Sequence, residues 1–121
     1  MDTIDCEYIR KNTTIDDDSI PPQPPSGVFL YEKEPELLYD CIPDYPSKAV
    51  KHKKTAEVSF QAYIDKSGCV LRVEITSCTT PGYGFEDAVI ECVYSRKYIP
   101  VIIDDKPIGL WISEKMEFAL P

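Results

Sequence analysis

Between Ala56 and Ile64 apolar and polar side chains alternate without a break over nine residues. Ala56, Val58, Phe60, Ala62 and Ile64 form one set, and Glu57, Ser59, Gln61 and Tyr63 the other. Successive side chains of a strand point to opposite faces, so this run specifies a β-strand with one face buried. Asp65-Lys66-Ser67-Gly68 follows as a turn in which Gly68 is free to take positive φ. A second alternating run sets Cys69, Leu71, Val73 and Ile75 against Val70, Arg72, Glu74 and Thr76. The two runs predict a β-hairpin.

A hairpin with one apolar face needs a cover, and helical stripes on either side of it supply one. After the break at Thr79-Thr80-Pro81-Gly82-Tyr83-Gly84, residues Phe85, Ala88, Val89, Cys92 and Val93 fall on one face of an α-helix. Glu86 and Asp87 sit in its first turn and Arg96 and Lys97 in its last, matching the helix dipole, and Pro100 marks the exit. Upstream, Pro46 in Asp44-Tyr45-Pro46-Ser47-Lys48-Ala49-Val50 suits a helix start, where its missing N–H costs nothing. That helix is expected to end near His52 to Lys54, with Ala49 and Val50 inward and the lysines outward. A final strand follows Asp104-Asp105-Lys106-Pro107. Leu110, Ile112, Met116 and Phe118 share one face, and Trp111, Ser113, Lys115, Glu117 and Ala119 the other. Glu114 falls on the apolar side, which points to a sheet edge or a bulge. The expected fold is α+β: two helices packed on one face of a three-stranded antiparallel sheet, with the hairpin first, then a helix and the final strand.

At 121 residues the chain is long enough for one domain with one modest core. Residues 1–27 are acidic and proline-rich and are read as a flexible polyproline spacer, with a PxxP ligand as the less favoured use. Residues 28–42 are read as a loosely ordered lead-in. In it, Val28-Phe29-Leu30-Tyr31 is a candidate edge strand and Leu37-Leu38-Tyr39 a second apolar contact. The folded domain is expected to span residues 43–121. No run approaches the roughly 18 apolar residues of a membrane helix. Met1-Asp2-Thr3-Ile4-Asp5 lacks the features of a signal peptide, so the expectation is a chain soluble as made or one from which an anchor has been removed.

Thirteen basic against twenty-one acidic side chains give a formal charge of −8, which repels phosphate backbones; nucleic acid is not an expected partner. The run from Lys48 to Lys54, with His52, reads as a solvated helix end. The five cysteines show no C-x-x-C spacing, and His52 is the only histidine, so neither a metal nor another cofactor is expected. Cys92 reads as a small core residue. Cys69 and Cys78 end one strand at opposite ends and cannot bond each other, whereas a Cys41–Cys78 bridge stays open. A Cys–His hydrolase would need an oriented base, and His52 lies in a lysine-rich helix end with no orienting partner. No catalytic residue is assigned, and the chain is not expected to be an enzyme.

Several short motifs recur in order from Pro43 to Leu120. They are Pro43-x-Tyr45-Pro46-x-x-Ala49, Ile64-Asp65-x-x-Gly68-x-Val70-x-x-Val73, Gly84-Phe85-x-x-Ala88, Tyr98-x-Pro100, Lys106-Pro107 and Met116-x-Phe118-x-Leu120. In this order and at these separations they resemble the C-terminal domain family of TonB, the energy transducer of Gram-negative envelopes. Lys54-Thr55-Ala56 stands where the family usually has a glycine, and Asp105 replaces the glycine of the loop before the last strand. The family's membrane helix has no counterpart here. The resemblance implies a periplasmic domain that captures the TonB-box peptide of an outer-membrane transporter as an added strand on the edge of its last strand. By the same resemblance, inner-membrane motor proteins are partners of any anchored full-length form, and a homodimer is a further expectation. The implied partner-binding residues are Tyr45 and Pro46, near the bound peptide, and Trp111, Ile112, Ser113, Glu114, Lys115 and Met116 along the strand. The alternative is a stand-alone envelope module of the same fold that self-pairs or scaffolds without transducing energy.

Overall fold

The alternation over residues 56–64 becomes the central strand of the sheet. The computed structural model describes Cys6 and residues 35–120; the candidate strand at Val28–Tyr31 and the spacer, Cys6 apart, lie outside the described residues. The chain runs through β1 (Leu37–Tyr39), α1 (Ser47–Lys51), β2 (Ala56–Ile64), β3 (Val70–Cys78) and α2 (Phe85–Ser95). It continues through β4 (Lys97–Tyr98), β5 (Val101–Ile103), β6 (Lys106–Ile108) and β7 (Leu110–Phe118). The main sheet is antiparallel in the order β3-β2-β7, with two-stranded ribbons β1-β4 and β5-β6 beside it. Among the described residues no helix is long and apolar enough to cross a membrane.

Every inward residue of β2 is buried, and Phe85, Val89, Cys92 and Val93 of α2 pack against them. The Val, Ile and Phe side chains among them contribute about 1.5–3 kcal/mol each by leaving water. Phe85, Phe118 and Tyr45 form a ring cluster, Tyr45 meeting the other two edge-on at 5.7 and 5.6 Å between centroids. Tyr45 also donates its hydroxyl to the Lys54 carbonyl and so closes α1 against the end of β7. On α1 only Ala49 is buried; Val50 is 47% exposed, correcting the expectation that both point inward. The helix is barely more than one turn, so a single position faces the core. Gly68 takes φ +85°, and a Cβ there would lie 2.0 Å from the Tyr98 carbonyl oxygen. That carbonyl belongs to β4, whose Tyr98 N–H in turn donates to the Gly68 carbonyl at 2.9 Å.

Four expectations change. First, β3 does not keep one phase. Ile64 pairs with Val70 while Tyr63 pairs with Arg72, which leaves Leu71 as an extra, bulged residue. The bulge turns Val70 toward the main core with Val73 and Ile75, while Cys69 and Leu71 go to the opposite face. A second bulge leaves Thr76 unpaired between Ile75 and Ser77. Second, that opposite face is itself covered at one end: Tyr63, Cys69, Leu71 and Trp111 form a second buried cluster, against which Cys6 packs. Third, the disulfides are Cys6–Cys69 and Cys41–Cys92, with Cys78 free, so the Cys41–Cys78 bridge is not made. Cys92 does sit in the core, yet as half of a cross-link rather than as a free thiol. Fourth, α2 ends at Ser95, so Arg96 and Lys97 lie beyond its last turn rather than in it, Arg96 extended and buried and Lys97 in β4.

Candidate functional site

The two outer strands of the main sheet present different edges. β7 pairs with β2 in an unbroken register from Ala56↔Phe118 to Ile64↔Leu110, without a bulge despite the acid at Glu114. Among the described residues no strand lies on its other side. β3 carries two bulges, and Cys69, immediately ahead of it, is bridged to Lys97 of β4. Lys97 donates its ammonium to the Ser67 carbonyl there, and burial pushes its pKa below the usual lysine value. Bulges and covering segments blunt a sheet edge, whereas a straight ladder leaves N–H and C=O groups in strand-pairing positions.

The β7 side chains divide by face. Ile112 and Met116 pack against the main core, Met116 being buried. Ser113 accepts a hydrogen bond from the Gln61 amide at 3.2 Å. Lys115 is exposed, its ammonium 3.7 Å from Glu57, a solvent-exposed pair that contributes little to stability. Trp111 does not stand free on the outer face: it is 7% exposed and tilted against Tyr63 at 5.7 Å, its partner in the register. Tyr45 and Pro46 lie away from the open middle of β7, at the start of α1 and against the aromatic cluster. The expected residues therefore do not form one patch: Ile112 to Met116 line the edge, and Tyr45 and Pro46 mark its far end.

Glu114 has a partner that the sequence reading missed. It is 42% exposed and accepts a hydrogen bond from Arg96 at 2.5 Å, while Arg96 Nε reaches Asp40 at 2.9 Å and its Nη1 reaches the Tyr98 hydroxyl at 2.9 Å. Burial is the strongest single influence and works against the guanidinium charge, but the Glu114 hydrogen bond and charge together with Tyr98 hold the Arg96 pKa above its ordinary value. For Tyr98 burial dominates and raises the pKa, with the Arg96 charge pulling the other way. The signal was available: an acid on the apolar face of a strand needs a cation within the fold, and Arg96 directly follows the helix that covers that face. Asp40 lies outside any periodic segment and carried no signal. Among the described residues no group of three or more His, Cys, Asp or Glu side chains is placed to hold a metal ion. What remains is a straight, partly charged strand edge pinned from beneath by one buried arginine, an arrangement suited to pairing with an extended peptide.

Comparison with known proteins follows the same division. The sequence model of the family described as the Gram-negative bacterial TonB protein C-terminal matches residues 42–120. A search of curated proteins returns no match. The solution NMR structure of the Pseudomonas aeruginosa TonB C-terminal domain superposes with a TM-score of 0.62 at 16% identity, covering 75% of this chain and 91% of that one. The TonB2 protein of Vibrio anguillarum superposes with a TM-score of 0.52 at 25% identity, over 84% of this chain and 95% of that one.

Proposed function

This chain belongs to the family of Gram-negative TonB C-terminal domains, and from that premise we propose that the outer edge of β7 captures a TonB-box peptide of an outer-membrane transporter by strand addition. Domains of this family are interaction domains of envelope energy transducers. The observation that carries the finer reading is the difference between the sheet's two edges: a straight β7 with no described neighbour, against a twice-bulged β3 preceded by the Cys69↔Lys97 bridge. Each main-chain hydrogen bond to a guest contributes about 0.5–1.5 kcal/mol net, so a handful sustains a specific, reversible grip. Lys115, Glu114 and Glu117 guard the edge against non-specific pairing, since a flat apolar edge aggregates. In this reading the domain works in the periplasm. Where a membrane anchor is present, the residues before the domain would transmit force from an inner-membrane motor.

Titration of the labelled chain with TonB-box peptides, followed by backbone amide shifts, tests the proposal. The expected result is perturbation concentrated in residues 112–118 with β3 nearly silent. Shifts confined to β3, or none at millimolar peptide, would falsify it.

A further inference from the structure

The disulfide between Cys6 and Cys69 joins residues 63 apart in sequence and closes residues 7–68 into a covalent loop. At its far end the anchorage is firm. Cys69 is fully buried with Tyr63, Leu71 and Trp111 on the sheet face opposite α2. Its backbone is held on both sides: the Asp65 N–H donates to the Cys69 carbonyl at 2.9 Å, and the Cys69 N–H donates to the Asp65 carboxylate at 2.9 Å. Cys69 is also bridged to Lys97, and the Tyr98 N–H donates to the adjoining Gly68 carbonyl. The other route into the domain, along the backbone, arrives at residues 35–41, whose first fastenings are all non-covalent. The Ile99 N–H donates to the Glu36 carbonyl at 2.7 Å, β1 pairs with β4 at two positions, and Asp40 accepts from Arg96. Only at Cys41, bonded to Cys92, does this route meet a covalent stop.

We propose that the Cys6–Cys69 bond is a load-bearing bypass, through which tension applied upstream of Cys6 enters the domain at Cys69 and skips both residues 7–34 and β1; the inference rests on the force-transmitting reading above. Two tethers run in parallel from Cys6 to the sheet. One is a single disulfide. The other begins with residues 7–34, whose contour is about 90–100 Å at full extension. Of two parallel tethers the shorter becomes taut first, and the longer carries nothing until the shorter one gives way. The β1–β4 ribbon could not serve in its place. Its hydrogen bonds contribute about 0.5–1.5 kcal/mol each and, pulled from one end, break one after another. The bypass keeps tension off this ribbon and off Arg96, whose bonds to Asp40 and Glu114 connect the lead-in to β7. Load enters instead at the base of the hairpin turn, where Ile64 pairs with both Val70 and Leu110, and spreads from there into β2 and β7. The outer edge of β7 keeps its shape while the domain pulls.

The test is single-molecule stretching of the full, oxidised chain between handles on Met1 and Pro121. A second chain carries an insert of about twenty Gly and Ser residues after Ser26, which leaves every cysteine in place. With the bypass loaded, the insert leaves the length of the folded molecule under tension unchanged. A folded molecule longer by about 70 Å would mean that tension runs along the backbone, and the proposal would be overturned. Cys6→Ala removes the bypass while keeping Cys69 in its buried place. In that variant residues 7–34 should draw out by about 90–100 Å before the domain unfolds. If they do not, other contacts hold the segment and the disulfide is not the load path. Repeating the stretch with the second handle on a TonB-box peptide separates the two readings. Should no peptide attach, strand addition falls, while the insert comparison between the chain ends still decides the bypass.

Discussion

β3 and β7 flank the same central strand, yet the ladder to β3 is interrupted by bulges and the ladder to β7 is not. β3 absorbs two extra residues, Leu71 and Thr76, and Cys69, just ahead of it, is bridged to Lys97 and cross-linked to Cys6. β7 matches β2 residue for residue across its whole length, and its single irregular feature, Glu114, is accommodated by a side-chain pair to Arg96 instead of a backbone bulge. The lesson concerns how an acid can sit on the inner face of an edge strand. A bulge would have moved the carboxylate outward and broken the ladder. A buried arginine neutralises it in place and keeps the ladder straight, which is the property that strand addition requires.

Separating the two edges experimentally starts with the largest expected effect. Replacing Cys6 and Cys69 together by alanine opens a link between residues 63 apart in sequence and should cost about 2–4 kcal/mol in urea unfolding. Peptide affinity at β7 should stay within about twofold, and a parallel loss of affinity would show that the edges are not independent. Arg96→Ala attacks the other edge. It leaves Glu114 without its partner and removes a buried side chain, for a loss of about 2–3 kcal/mol, discounted because both carboxylates are partly exposed. Here the β7 amide shifts should change even without peptide; if they do not, Arg96 is not what keeps the edge straight.

Smaller effects refine the picture. Asp104 and Asp105 both take positive φ, 51° and 65°, in the two-residue turn between β5 and β6 that leads into β7. Asp105→Gly should therefore stabilise the fold by about 1 kcal/mol without altering peptide binding. A higher midpoint with weaker binding would mean that the turn reaches the guest. Last is a pH effect. Burial raises the Tyr98 pKa, so the stability carried by its neutral phenol is complete below the ordinary tyrosine value of about 10 and is lost as pH rises through the higher folded value. Melting curves of the native chain should fall more steeply above about pH 10 than those of Tyr98→Phe, and coincident slopes would remove Tyr98 from the network.

The residues that were read correctly from sequence share a local cause. The period-two run of β2, the Phe85–Val93 stripe and the turn at Gly68 each follow from backbone geometry over a few neighbours, and each appears in the fold as expected. The turn at Asp104-Asp105 was flagged by the missing glycine, and the positive φ at both residues explains why a glycine is at home there. β3 misled because alternation holds only while the ladder is regular; one bulged residue reverses the facing of all that precede it.

Sequence by itself determined the two helices and the three strands of the main sheet, their order and the family to which they belong, since periodicity and short motifs are properties of neighbouring residues; the short strands β4, β5 and β6 carried no such signal. The tertiary structure alone decided which thiols meet, that Trp111 is covered, that Arg96 reaches both Asp40 and Glu114, and which edge of the sheet stays straight. Each of these depends on residues 18 or more positions apart being brought within a few ångströms, and no local pattern encodes such a meeting.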